Sequence, residues 1–206
     1  MVLTKEHWQK MLSQAVIILK ENTDELSRLD SATGDGDHGV TIGKIADKIS
    51  ERLSSWPDDT GVQAFLEDLS SALTNIGGGS AGPLWGTLFE GFSLAATDDM
   101  DIPQVKKLFV SALDSMREIS TAKIGDKTMM DALLPAVAAV ESCEGDIPAI
   151  FAQAAQAAVQ GADDTANMIA KFGRAKNLKE KTIGHKDPGS VSLSLLFKSF
   201  ADALNS

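Results

Sequence analysis

The chain is predicted to fold as an all-α, single-domain, antiparallel up-and-down barrel of eight amphipathic helices. Three observations predict it. Tyr is absent and β-branched runs are short. Ala, Leu, Lys, Glu and Gln, which favour helix, dominate the long segments. Apolar residues also recur at helical spacing in one segment after another. A chain of 206 residues, 43% hydrophobic, suffices for one domain with a substantial core. No linker or internal repeat divides it, so a single domain over 1–206 is expected.

The elements follow in order. The first helix starts near Thr4 and carries Trp8, Met11, Leu12, Ala15, Leu19, Leu26 and Leu29 on its apolar face. The second runs from Val40 to Leu53, with Ile42, Ile45, Ala46 and Ile49 aligned. The third covers Val62 to Ile76, and the fourth runs from Pro83 to Ala96. Its proline sits in the first turn, where the missing N–H is one the helix does not use. The fifth begins at Pro103 and aligns Val105, Leu108, Phe109, Ala112 and Met116; the sixth spans Lys127 to Val140. Gly161 could break the seventh at about 1 kcal/mol relative to Ala. Yet Ile147, Phe151, Ala154, Ala158, Thr165 and Ile169 keep register across it, which predicts one helix from Ile147 to Lys171. The eighth runs from Ser190 to Leu204.

In such a barrel, alternate loops fall at opposite ends. The even loops (Ser54 to Gly61, Thr97 to Ile102, Glu141 to Asp146) are acidic turns without dense motifs. The odd loops carry Asp30 to Gly39, Gly77 to Gly82, Ser120 to Asp126, and Phe172 to Gly189. All the unusual chemistry therefore gathers at one end, which raises these loops from turns to a site.

Asp30 and the stretch Gly34-Asp35-Gly36-Asp37-His38-Gly39 pack three carboxylates and an imidazole into one short segment. Clustered like charges repel unless a cation sits among them, and hard oxygen donors suit Mg²⁺ or Ca²⁺ better than Zn²⁺. Alone, the segment fits a solvated acidic turn equally well. It is not an EF-hand, because Asp35 and Thr41 stand where Gly and Glu are required. Gly77-Gly78-Gly79-Ser80-Ala81-Gly82-Pro83 presents backbone amides ahead of a helix N-terminus, an arrangement that binds anions. It lacks the Gly-Lys-Ser/Thr ending of a Walker loop, and an ordinary turn fits it equally. Gly125-Asp126-Lys127-Thr128-Met129 opens another helix, with Met129 a soft surface for a flat ring. The competing reading makes Asp126 an N-cap and the Met pair core. The last loop holds Arg174, suited to phosphate oxygens, and Asp187-Pro188-Gly189, suited to a rigid turn.

Composition narrows the partners. A net charge of −10 argues against nucleic acid and anionic membranes. It also means that polyphosphate could be held only through cations, helix N-termini or amides. No apolar run spans a bilayer, the N-terminus lacks the apolar core of a signal peptide, and Cys143 stands alone. Together these lead us to expect a cytoplasmic protein.

Five motifs in order carry a family resemblance: Gly34-Asp35-Gly36-Asp37-His38-Gly39 after Leu29-Asp30, the loop from Gly77 to Leu84, Gly125 to Met129, Gly173-Arg174-Ala175, and Ile183 to Gly189. Together they resemble the nucleotide-binding L subunit of dihydroxyacetone kinase over almost the whole chain. The resemblance implies an eight-helix barrel holding ADP or ATP at one end with two Mg²⁺. It makes Asp30, Asp35 and Asp37 the metal ligands. His38, Gly39, Thr41, Gly79, Ser80, Ala81, Met129, Arg174, Asp187, Pro188 and Gly189 become the nucleotide contacts, with no separate catalytic side chain. In that family the sugar sits on a K-type subunit, and a phosphocarrier (M-type) subunit rephosphorylates the bound ADP in bacterial phosphotransferase versions. The chain departs from the family pattern at Thr41 (commonly Asn) and Ser120 (commonly Gly). It also departs in the glycine loop and in Lys176-Asn177-Leu178-Lys179-Glu180-Lys181.

The expected function is therefore that of a phosphoryl-transfer subunit of a dihydroxyacetone or related short-ketose kinase. The alternative is a non-catalytic, nucleotide-dependent regulator on the same scaffold, and a metal-dependent hydrolase ranks third. The complete set of three aspartates favours chemistry.

Overall fold

The first helix does not run unbroken to Leu29. Asn22 interrupts it: its side-chain amide donates to Ile18 O at 2.7 Å and its backbone N–H to Leu19 O at 3.3 Å. Asn22 O then accepts from Leu26 N, which starts a new helix. The chain thus forms α1 (Lys5–Glu21) and α2 (Thr23–Ser31) where one helix was expected. They are followed by α3 (His38–Ser54), α4 (Val62–Thr74), α5 (Ala81–Ala95), α6 (Ile102–Ile119), α7 (Met130–Ser142), α8 (Ile147–Asp164) and α9 (Pro188–Asn205). Residues 1–77 and 79–205 are described in this computed structural model. Among them nine α-helices replace the expected eight, and β-pairing is confined to one isolated antiparallel bridge, Leu3 with Met100.

The barrel survives the extra break. Both α1 and α2 pack on α3, so together they fill one position of the ring. Contact then passes from α3 to α4 and on in chain order to α9, which closes on α1. The interior is filled by rings from five helices. Trp8 meets Phe92 and Phe200 edge-on at 6.1 and 6.0 Å between centroids, and Phe109 meets Phe151 at 5.3 Å. Such pairs add about 0.5–1.5 kcal/mol each beyond their burial.

Two predicted boundaries move. Helix α7 begins at Met130 rather than Lys127, because Lys127 has φ 60° and lies outside the helical region. Helix α8 ends at Asp164 rather than Lys171. A 3-10 turn, Thr165–Asn167, follows, and Met168 is extended. Ile169, in register with the apolar face by sequence, is left partly exposed. Gly161 does remain inside α8, for a packing reason. A Cβ there would lie 2.0 Å from Asp131 O of α7. Pro135 has no N–H to give the carbonyl four residues back, so Asp131 O is left outside the helical ladder and α8 approaches it directly.

The ends of the barrel differ in kind. At one end the N-terminal segment and the even loops lock together. Lys5 Nζ donates to Pro57 O, Asp58 O and Thr60 O, and Asp98 Oδ1 accepts from Val62 N at 2.7 Å. The four odd loops meet at the other end.

Candidate functional site

Four helices start at the odd-loop end: α3 after Asp37, α5 after Ser80, α7 after Met129, and α9 at Pro188. Each N-terminus carries a partial charge of roughly +0.5, although the first amides of α3 and α7 and Ser190 N of α9 already have acceptors within the chain. They surround a cavity of about 470 Å³, within the roughly 300–1,000 Å³ typical of small-ligand sites. This arrangement resolves the charge problem. A chain with a net charge of −10 can still offer an anion a favourable local field.

The acidic segment forms one wall. One carboxylate oxygen from each of Asp30, Asp35 and Asp37 lies within 4.8 Å of the others. Arg174, reaching over from the loop before α9, pairs with Asp35. Three convergent carboxylates, with neither sulfur nor imidazole among them, fit a hard divalent cation such as Mg²⁺. His38 does not join the cluster. Its backbone N–H donates to Asp30 Oδ2 at 3.2 Å, while its ring Nε2 lies 3.0 Å from Ser192 Oγ on α9. The Ser192 hydroxyl also lies 3.0 Å from Gly189 O, and the ring hydrogen-bonds the Pro188 backbone, so the His38 side chain is held against the start of α9. Burial holds the imidazole down at about 4, against the opposing pull of Asp30, so it is neutral at pH 7.

Gly79, Ser80 and Ala81 form the second wall, and Gly78 of that loop lies outside the described residues. Met129 lines the cavity too, lying beside Gly189. Leu84, Met116 and Ile119 extend this apolar side. Leu84 ends the glycine-loop motif and Met116 and Ile119 carry none, and none of the three was expected at the site from sequence. Their shared signal is position, within a turn of a loop at the odd end. Arg174, Asp187, Pro188 and Gly189 complete the ring.

Gly39 and Thr41 are not brought to the cavity. A Cβ at Gly39 would fall 1.9 Å from Thr23 O, so this glycine lets α3 cross α2 closely. Thr41 is buried one turn into α3.

The turn before α7 is built differently from its expected N-cap. Asp126 accepts from Lys123 N at 2.8 Å and pairs with Lys171 Nζ at 2.6 Å, a hydrogen bond that holds its carboxyl below the usual range. Asp131 caps the turn instead, accepting from Gly125 N at 2.6 Å and Thr128 N at 2.7 Å. Lys127 is buried and its ammonium is enclosed by backbone carbonyls rather than aimed at the cavity. Asp187 caps α9 through Ser190 N at 2.7 Å, and burial pushes its carboxyl up to about 7. His185 lends its carbonyl to Lys127, and the residue is exposed.

Residues 32–202 match the DAK2 domain. L-erythrulose kinase of Pectobacterium atrosepticum is 35% identical over 95% of this chain, which spans only 34% of that protein. The ADP-binding subunit DhaL of the PEP-dependent dihydroxyacetone kinase of Escherichia coli is 30% identical, with 98% of each chain covered. The crystal structure of the dihydroxyacetone kinase from C. freundii in complex with AMP-PNP and Mg²⁺ superposes with a TM-score of 0.72. It is 26% identical, covering 94% of this chain and 33% of that one. Among the described residues, no helix is long and apolar enough to cross a membrane.

Proposed function

The chain belongs to the DAK2 domain family, and on that premise we propose that it is the nucleotide-binding subunit of a kinase for dihydroxyacetone or a related short ketose. The single observation that carries this reading is one cavity that receives three convergent carboxylates and four helix N-termini. Carboxylates alone would repel a polyphosphate. Helix N-termini alone would hold an anion but no cation. Together they fit a metal nucleotide. The domain spanning 1–206 serves as one nucleotide-binding unit.

In this reading Asp30, Asp35 and Asp37 hold Mg²⁺, which when bound neutralises phosphate charge and polarises the reacting phosphoryl group. The amides around Gly79, Ser80 and Ala81, at the start of α5, receive phosphate oxygens. Arg174 leaves Asp35 to pair with phosphate. Met129 and the apolar side beside it take the flat base. Neutral His38, anchored on Ser192, holds the α2–α3 loop against α9 without adding charge. Relatives of nearly the same length are named as ADP-binding subunits of a dihydroxyacetone kinase, which supports an acceptor held on a separate K-type subunit and a chain active only with that partner. The donor that restores the nucleotide is ATP or a phosphocarrier subunit.

The test is a division of labour. The isolated chain should bind ADP with Mg²⁺ yet fail to phosphorylate dihydroxyacetone, and adding a K-type subunit with a phosphoryl donor should produce turnover. Robust phosphorylation by the isolated chain would overturn the subunit assignment. A chain that ignores ADP with Mg²⁺ present would overturn the nucleotide site.

A further inference from the structure

Lys127 lines the nucleotide cavity, where a lysine is ordinarily read as a phosphate ligand. Its geometry says otherwise. The residue is only 4% exposed, and Nζ donates to Thr165 O at 2.7 Å, Thr182 O at 2.8 Å and Met168 O at 3.3 Å, with His185 O as a fourth acceptor. An ammonium has three protons, so four carbonyls already exceed its capacity and leave nothing for a phosphate. Among the described residues it forms no direct ion pair; Asp131 and Asp187 act on it only through their charge. A buried charge without a carboxylate in contact is costly unless carbonyl dipoles replace its water.

The four carbonyls are not scattered. Thr165 and Met168 lead out of α8, and Thr182 and His185 lead into α9. Between Met168 and Thr182 the chain makes its excursion to the cavity wall, bearing Phe172, Gly173, Arg174 and Ala175. The ammonium therefore ties the neck of that excursion. Neighbouring contacts reinforce the knot: Gly184 N donates to Ala166 O at 2.7 Å, Ala170 N to Thr182 Oγ1 at 3.1 Å, and Asp187 N to Thr165 Oγ1 at 2.9 Å. The last of these joins the neck to the cap of α9.

We infer that Lys127 is a positioning residue whose ammonium, caged by the carbonyls of Thr165, Met168, Thr182 and His185, closes the neck of the loop that carries Arg174 and aligns Asp187. It acts on the nucleotide only through that loop, and the neck is ordered before any ligand arrives. This inference rests on the nucleotide reading of the cavity for its effect on binding, but not for its effect on the neck.

The test uses the whole chain. In Lys127→Met, backbone amides within 165–186 should exchange faster than in wild type without any ligand. Affinity for ADP with Mg²⁺ should fall by about tenfold or more, because a pre-ordered loop must now be ordered on binding. Arg174→Ala should lose affinity while the neck stays protected. Lys127→Ala removes the equivalent of a propylammonium ion, so added propylammonium should restore neck protection and affinity, and tetramethylammonium at equal ionic strength should not. If Lys127→Met does not fold, Lys127→Ala purified with propylammonium replaces it. Then independence of neck protection from propylammonium overturns the inference. It is also overturned if Lys127→Met keeps the neck protected, or loses affinity with the neck intact, which would make Lys127 a direct ligand. If wild type fails to bind ADP, the nucleotide reading falls while the exchange comparison still decides the tether.

Discussion

Arg174 of the loop before α9 forms an ion pair with Asp35 of the loop before α3, joining two segments far apart in sequence across the mouth of the cavity. Without a metal, the guanidinium is the one cation paired with the carboxylate cluster among the described residues. The same side chain is the phosphate ligand in the proposed complex, so metal and nucleotide draw on it in opposite directions.

Arg174→Ala should therefore separate the two ligands. Mg²⁺ or Mn²⁺ alone should bind more tightly, since Asp35 is released, while ADP in the presence of metal should bind about tenfold or more weakly. Both partners are well exposed, at 67% and 46%, and exposed pairs contribute about 0–1 kcal/mol, so the ligand-free thermal midpoint should hardly move. Calorimetry with each ligand and a melting curve decide it. Metal affinity that stays level or falls would remove the competition.

Asp37→Asn should reverse its effect with conditions. In chelator the variant should melt at or above wild type, because one of three mutually repelling carboxylates is gone. Although Asp37 precedes α3, its side chain makes no cap hydrogen bond, so none is lost. With Mg²⁺ and ADP the variant should melt below wild type, since the ligands that stabilise the native state no longer bind well. A variant that melts like wild type in both conditions would exclude Asp37 from the metal site.

Asp187 predicts a pH dependence. Its folded-state pKa, raised to about 7 by burial, exceeds an unfolded value of about 3.9. Its stabilising contribution is thus full below about 4 and is lost as pH rises toward 7, because the folded state holds the proton longer. Asp187→Asn keeps an oxygen for Ser190 N but cannot titrate. Compared with wild type, the ligand-free variant should gain relative stability steadily from pH 4.5 to 7.5 in denaturant titrations. Parallel curves for the two proteins would show that Asp187 ionises normally.

Gly161→Ala sets propensity against packing. Ala is better in a helix by about 1 kcal/mol, but overpacking costs about 1–3 kcal/mol. With a Cβ landing 2.0 Å from Asp131 O, a rigid backbone atom, packing should win and the variant should be less stable. Because Asp131 also holds Gly125 and Thr128, nucleotide affinity should fall as well. A more stable variant in denaturant titration would mean that α8 can move away freely.

Much of the architecture was legible in residue order, because helix periodicity and capping are local. Asp101 and Asp146 cap α6 and α8 through Gln104 N and Ala149 N, each followed by a proline in the first turn. Loop parity also followed from order alone. It collected Asp30, Asp35, Asp37, Gly79, Ser80, Met129, Arg174 and Asp187 at one end, and these residues do line one cavity. Parity survived the break at Asn22, because α1 and α2 share one position in the ring.

What only the tertiary structure decided involves partners distant in sequence. The apolar register ran on to Ile169, yet α8 stops at Asp164. The carbonyls of Thr165 and Met168 are taken by Lys127, 38 and 41 residues earlier in the chain. No window along the sequence contains that exchange. The same holds for Gly39, whose neighbour is the carbonyl of Thr23, and for Leu84, Met116 and Ile119, which become a cavity wall only once α5 and α6 pack. A helix is decided by hydrogen bonds four residues apart, so order alone determines it. A site is decided by which distant dipoles and charges satisfy one another, and only the closed barrel brings those together.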